Sequence, residues 1–280
     1  MTAISLSQIT GSNFSYQHLP FERFLDDMVK LERTHVELWG IAPHLHIPQV
    51  GLSDIRRIRR QLADRELSVA CITPEQVVYP VNIASAEPWL RRGSIDMFRK
   101  AADICVELGS PYLFLTPGRG YETEPVDDAW DRSADALAEI AEYAGSLGLN
   151  CVFEPLQRVE SNLVNSTSDI RRMLDQVGAD NMGVALDTVA MAVAGENITD
   201  YFAAFGQRVL HVHLIDGTPA GHLAWDDGDL PLESYLQSLG EVGYTGFATF
   251  ELFGDGNYAL DPFAALSRSL ASAGQALTVG

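Results

Sequence analysis

Cys151-Val152-Phe153-Glu154-Pro155-Leu156-Gln157-Arg158-Val159-Glu160 is a short apolar run that stops on a carboxylate and breaks at a proline. Such a run reads as a buried strand followed by a loop. Three later runs end the same way: Val184-Ala185-Leu186-Asp187, Val209-Leu210-His211-Val212-His213 and Phe247-Ala248-Thr249-Phe250-Glu251. If four consecutive strands of one parallel sheet each deliver an oxygen or nitrogen ligand to the same end, they build a metal site.

Working outward from that stretch, strand-like and helix-like segments alternate along the whole chain. The first half reads as strands at Ile4–Gln8, His35–Gly40, Leu67–Ile72 and Tyr112–Thr116. Between them lie helices at Pro20–Leu31, after a cap at Ser53-Asp54, up to Leu108, and from Asp127 to Leu147. Phe21, Phe24, Leu25, Met28 and Leu31 set the helical spacing of the first of these. The second half continues with strands at Asn150–Glu154, Gly183–Asp187, Leu210–Ile215 and Phe247–Leu252. Its helices follow a cap at Ser166 or Thr167, then run near Asp200–Phe205, Pro231–Val242 and Pro262–Ala273. Eight strand–helix pairs in one series predict an α/β fold, a (β/α)8 TIM barrel formed by residues 1–280 as a single domain. A doubly wound open sheet is the competing architecture.

Length and composition agree with this. A chain of 280 residues with 46% hydrophobic content can bury a large core. Against 38 Asp+Glu stand 19 Lys+Arg, and the net charge of −19 repels nucleic acid and anionic membrane surfaces. The expected partner is a neutral or cationic small molecule. Cys71, Cys105 and Cys151 are odd in number and sit in apolar runs, which points to reduced core residues and a cytoplasmic setting. No run approaches 18 apolar residues, so no membrane span is expected.

In a barrel, catalytic groups sit at the C-terminal ends of the strands and on the following loops, where Glu154, Asp187, His213 and Glu251 all fall. Clustered carboxylates repel one another unless a divalent ion keeps them ionised. One imidazole with three carboxylates suits Mn2+, Co2+ or Mg2+ better than a thiolate-rich zinc site. Taken singly, an acid at a strand end more often reads as a helix cap or a solvated loop group. His211 and His213 share one face of their strand, and His213, nearer the end, is assigned as the ligand. Glu37 reads as a buried, hydrogen-bonded structural acid. His44 and His46 in the second loop are candidates to contact substrate hydroxyls, or are solvated loop residues. Arg158 is either a substrate contact or a partner of Glu160, and Arg119 and Tyr121 are as ambiguous.

The run Phe153-Glu154-Pro155-Leu156-Gln157-Arg158-Val159-Glu160-Ser161-Asn162, with Leu186-Asp187-Thr188, His211-Val212-His213 and Phe250-Glu251, resembles the sugar isomerase/epimerase superfamily of xylose-isomerase-like barrels. Ketose 3-epimerases of the tagatose, psicose and fructoselysine kind are the most similar members. The likeness extends to Thr73-Pro74-Glu75-Gln76 and Tyr79-Pro80-Val81-Asn82. It implies Mn2+ or Co2+ held by Glu154, Asp187, His213 and Glu251. It also implies catalytic roles for Glu154 and Glu251 on opposite sides of the substrate, with Glu160 touching its hydroxyls. One glutamate removes the proton beside a ketone, an enediolate forms, and the other returns a proton to the opposite face. Homo-oligomerisation follows by family analogy alone.

Two positions depart from the family pattern. Ala190 stands where those enzymes carry a histidine, and Pro219 where they carry an arginine. The seventh loop offers His222 and Trp225 instead, the latter as a ring for stacking on a sugar or aglycone. These departures open a second chemistry, β-elimination from a 3-keto sugar or glycoside. Lyases of the inosose dehydratase and C-glycoside-cleaving kinds resemble the same barrel, and some of the latter need a small partner subunit. A metal-dependent endonuclease is opposed by the charge, and a non-catalytic sugar-binding protein by the presence of all four candidate ligands.

Overall fold

The computed structural model describes residues 4–76 and 80–279. The eight strands are β1 (Ile9–Gly11), β2 (His35–Gly40), β3 (Ser68–Pro74), β4 (Tyr112–Leu115), β5 (Asn150–Phe153), β6 (Met182–Asp187), β7 (Val209–His213) and β8 (Ala248–Phe250). They pair in parallel in the order β1-β8-β7-β6-β5-β4-β3-β2, and a parallel bridge between Ser12 and Glu37 brings the two ends of the sheet together. The chain is therefore a (β/α)8 barrel, and the open doubly wound alternative is excluded.

Helices cover the outside because each carries an apolar stripe at helical spacing. On α1 (Phe21–Lys30) the stripe is Phe21, Phe24, Leu25 and Met28. α2 (Leu52–Ala63) buries Ile55, Ile58 and Leu62. The long α3 (Pro88–Leu108) and α4 (Val126–Ser146) bury Phe98 and Cys105, and Trp130, Leu137 and Ile140, respectively. α5 (Thr167–Val177) is capped by Ser166, whose hydroxyl accepts the Asp169 N–H, and stops at Gly178 in the left-handed conformation. The second half continues with α6 (Thr188–Val193), α7 (Ile198–Phe205), α8 (Leu232–Glu241) and α9 (Pro262–Val279).

Strand alternation decides which side chains enter the barrel. Residues two apart point inward together, so Thr10 and Ser12, Glu37 and Trp39, Cys71 and Thr73, Val152 and Glu154, Ala185 and Asp187, His211 and His213, and Thr249 and Glu251 form successive interior pairs. Cys71, Phe114, Val152 and Ala185 pack into one small apolar layer. The second member of each pair lies one layer nearer the C-terminal mouth. Between β6 and β7 the register keeps the layers level, Ala185 being opposite His211 and Asp187 opposite His213, whereas His213 is opposite Thr249, so Glu251 lies two residues further toward the mouth.

Three sequence expectations are corrected. Ile4–Gln8 is not the first strand, because Ser5 and Gln8 cap each other and close a 3-10 turn over Leu6–Gln8, leaving β1 to start at Ile9. Ser53 and Asp54 lie inside the first turn of α2, whose cap is Gly51, with the Asp54 carboxylate accepting the Gly51 N–H at 3.1 Å. An additional short helix, α6, begins directly after β6 because Asp187 itself caps it. Cys71, Cys105 and Cys151 are free and buried, as expected. No described helix is long and apolar enough to cross a membrane.

Candidate active site

Glu154 follows the last rung of β5, held by its N–H to the Leu115 carbonyl at 3.0 Å. Asp187 ends β6, His213 ends β7, and Glu251 follows β8. All four are buried. The Nδ1 of His213 lies 2.8 Å from Glu154 Oε1 and 3.4 Å from Glu251 Oε2. Ligand atoms of Glu154, Asp187 and His213 fall within 4.8 Å of one another, as do those of Asp187, His222 and Glu251.

Asp187 combines both readings of a strand-end acid. Its Oδ1 accepts the Ala190 N–H at 2.6 Å, capping α6, while the carboxylate also belongs to the cluster. His213 is stacked on Phe114, with ring centroids 4.7 Å apart and planes 13° apart, and its Nε2 is 3.0 Å from Glu37 Oε1. Glu37 is a buried, hydrogen-bonded acid, as read from its place in β2. It accepts from His211 at 2.7 Å on its other oxygen and from the Thr73 hydroxyl.

The electrostatics of this cluster call for a positive charge. Burial pushes the Glu154 carboxyl up to about 7, against the pull of His213. Burial pushes Glu251 well above the carboxylate range, and Glu154, Glu37 and Asp187 add to it. Burial works against protonating His213, yet Glu251, Glu37 and Glu154 together drive its value well upward. Glu154 Oε1 and His213 Nδ1 face each other at 2.8 Å, and neither has a further hydrogen-bond partner. Two buried ligand atoms with no other partner, beside two further carboxylates, are what an oxygen- and nitrogen-bound divalent ion would satisfy, so the donor set fits a Mn2+, Co2+ or Mg2+ ion.

Above the cluster opens a cavity of about 500 Å³. Phe14, Trp39, Phe114 and Phe253 supply its aromatic walls, and Glu75, Glu154, Glu160, His222 and Glu251 its titratable groups. Phe14 stacks on Phe253 at 4.8 Å and meets Trp39 edge-on. Glu160 is oriented by the Gln157 N–H on its Oε2 at 3.0 Å. The Glu75 carboxyl is pushed up to about 7 by burial, while hydrogen bonds from the Gln76 backbone and the Trp39 side chain pull it back. His222 reaches the wall from the β7–α8 loop, its Nε2 3.6 Å from Glu251 Oε2.

Other expected substrate contacts lie elsewhere. Trp225 is 1% exposed and donates its indole N–H to the Leu214 carbonyl at 3.1 Å, so it fills the core rather than stacking on a ligand. His44 is buried between the Asn13 amide (3.1 Å) and the Leu19 carbonyl (2.8 Å), away from the cavity lining. His46, partly exposed, is not on that lining either. Arg158 pairs with Glu122 at 2.8 Å, not with Glu160, and Arg119 binds the same Glu122 at 2.7 Å. Phe14, Trp39, Phe253, Glu75 and Gln17 were not singled out by the sequence as pocket residues. The available signal was the Thr73-Pro74-Glu75-Gln76 motif that closes β3, and its continuation at Tyr79 lies outside the described residues.

A closed parallel barrel with an acid-and-imidazole cluster at its C-terminal mouth defines a TIM barrel with its candidate site at the end where such barrels carry theirs. The chain belongs to the xylose isomerase-like TIM barrel family, whose pattern matches residues 25–273. It is similar to fructoselysine 3-epimerase of Shigella flexneri, 29% identical over 239 residues, spanning 85% of this chain and 87% of that one. L-ribulose 3-epimerase of Mesorhizobium japonicum is 27% identical over 205 residues, 71% of this chain and 67% of the relative. The fold also matches D-psicose 3-epimerase of Clostridium cellulolyticum H10, with a TM-score of 0.72 and 16% identity over 95% and 99% of the two chains. A 3-keto-D-glucoside 4-epimerase from E. coli matches with a TM-score of 0.78 and 15% identity over 94% and 98%.

Proposed function

We propose that this protein is a divalent-metal-dependent epimerase of an unphosphorylated keto sugar. The observation that carries the reading is the pair of buried glutamates, Glu154 and Glu251, that converge with Asp187 on Nδ1 of His213 at the floor of the cavity. Relatives named as ketose 3-epimerases support it.

Glu154, Asp187, His213 and Glu251 would hold the ion. When bound, it would supply charge neutralisation for the substrate oxygens as an enediolate develops. Glu154 and Glu251 approach from β5 and β8, on different sides of the cavity floor. One takes the proton from the carbon beside the ketone, and the other delivers one to the opposite face. Glu160, fixed by the Gln157 N–H, accepts from a sugar hydroxyl. The aromatic wall of Phe14, Trp39 and Phe253 excludes water and covers the apolar face of the sugar. Among the described residues lining the cavity there is no lysine or arginine, which disfavours a phosphorylated substrate.

A β-eliminating lyase on a 3-keto sugar is the second reading. It is favoured by His222, which stands beside Glu251 on the wall, where a leaving group would take a proton. Incubating Mn2+-loaded protein in D2O with free ketohexoses and 3-keto glycosides separates the two. Deuterium at the carbon beside the ketone together with the inverted epimer is expected. Release of aglycone or water would select elimination, and no exchange with any substrate in Mn2+-loaded protein would overturn both readings.

A further inference from the structure

Glu37 belongs to β2, whereas the histidines it holds belong to β7, 174 and 176 positions later in the chain. Its side chain crosses the barrel interior, and each oxygen meets an imidazole: Oε2 lies 2.7 Å from His211 Nε2, and Oε1 lies 3.0 Å from His213 Nε2. Thr73 donates its hydroxyl to Oε1 as well. The carboxylate, both rings and Thr249, 3.4 Å from His211 Nε2, are all fully buried. Sequence alone reads Glu37 as a structural acid. The geometry goes further.

We infer that Glu37 is a positioning residue that selects the His213 tautomer, committing the proton to Nε2 so that Nδ1 turns a lone pair toward Glu154 and Glu251. This rests on the reading of His213 as a metal ligand. A neutral imidazole carries one N–H, and whichever nitrogen donates leaves the other as the ligand atom. A carboxylate at Nε2 accepts that N–H, and it offers nothing to an Nε2 lone pair except repulsion. Phe114, stacked flat on the ring, opposes rotation out of this alignment. Nδ1 faces Glu154 Oε1 at 2.8 Å and has no further hydrogen-bond partner, so a bound cation would take the place of a proton between these two atoms. His211 serves as the second tether. By occupying Oε2 it keeps the carboxylate from turning away from His213, so the two imidazoles of β7 act as a pair, one as ligand and one as anchor of the ligand's partner.

The test measures ion binding and proton position, not turnover. Wild type, Glu37→Gln and Glu37→Asp are stripped with chelator and titrated with Mn2+ by calorimetry, with circular dichroism recorded for each. The Gln variant is expected to bind Mn2+ about 10- to 100-fold more weakly. The Asp variant, which retains the charge on a shorter arm, is expected to recover part of that loss. A Gln variant that is folded and binds Mn2+ as tightly as wild type overturns the inference and leaves the proposed function standing. A wild type that takes up no Mn2+ overturns the metal reading and this inference together. Because a buried amide could unfold the barrel, the proton is also located directly in the wild type. Long-range 15N–1H correlation spectra of the Mg2+-saturated protein, with His213 assigned by its loss in His213→Gln, are expected to show the proton on Nε2. A proton on Nδ1 overturns the inference.

Discussion

At the level of single residues, the four candidate ligands were legible because strand alternation and strand ends are written in the sequence. Glu154, Asp187, His213 and Glu251 each stand at or just past the C-terminal end of a strand, so parallel pairing carries them to the same mouth of the barrel. Trp225 was misread for a physical reason. An indole in a loop rich in Gly and Asp looks like an exposed ring, but its N–H finds the Leu214 carbonyl and the ring is swallowed by the core. Two predictions separate these cases. Glu154→Gln and Glu251→Gln should each lower turnover by about 10²- to 10⁴-fold, the range for a lost acid or base, with an unchanged circular dichroism spectrum. Near-wild-type turnover in either would remove that residue from the chemistry. Trp225→Ala should instead cost about 3–5 kcal/mol of stability, read as a lower melting temperature, while KM measured well below that temperature stays near the wild-type value. A large rise in KM without destabilisation would return Trp225 to the binding site.

Among the elements, the loops decide what the sequence could not show. Strands and long helices follow from apolar periodicity: α3 ends at Leu108 as expected, and α4 falls within a residue of its expected limits. The pocket walls, by contrast, come from Phe14 after β1, Trp39 at the end of β2, and Phe253 after β8, so no local pattern announces their meeting. The β7–α8 loop illustrates how such a wall is fixed. Asp216 is buried at 1% exposure and accepts N–H groups from Gly217, Gly228 and Leu230 at 2.8–3.0 Å. Its own backbone pairs with Leu223 in both directions. His222 adjoins that bridge, and its carbonyl accepts the N–H groups of Phe253 and Gly254. Thus one carboxylate ties together the loop that positions both His222 and the Phe253 wall. Asp216→Ala leaves buried N–H groups without acceptors, at a cost of about 1–3 kcal/mol for each. Hydrogen exchange across residues 216–230 is expected to accelerate more than exchange in β7. Unchanged protection of the loop would show that the Asp216 knot is dispensable.

Across the whole molecule, a core built as a barrel buries its acids and sets them facing one another, and that burial, with the repulsion added to it, makes stability depend on pH. Burial raises Glu154 to about 7 and Glu251 well above the carboxylate range, and neighbouring acids raise His213 well above 6.5. All three bind protons more tightly in the folded chain than in the unfolded one. Where the folded state holds more protons, stability falls as pH rises. For the two glutamates the loss begins above the unfolded value of 4.5 and continues through about 7 for Glu154. The contribution of His213 is complete below 6.5 and is lost as pH rises through its folded value. Glu37 has the opposite sign. The two histidines hold its carboxyl below 4.5 despite burial, so it stabilises above 4.5 and loses that effect as pH falls through its lower folded value. Above pH 4.5 the two glutamates, joined by His213 above 6.5, lower stability in the same direction, and chelator-treated protein is expected to melt at progressively lower temperature from pH 5 to 8. A divalent ion replaces those protons and binds only the folded site. At 100 times its Kd, Mn2+ should add about 2.7 kcal/mol, and the gain in melting temperature over chelator-treated protein should widen toward pH 8, as protons cease to compete for the same oxygens and nitrogen. A melting temperature that is flat with pH in chelator, or that ignores Mn2+ at every pH, would mean that the cluster at the barrel mouth is not held together by an exchange of protons for a cation.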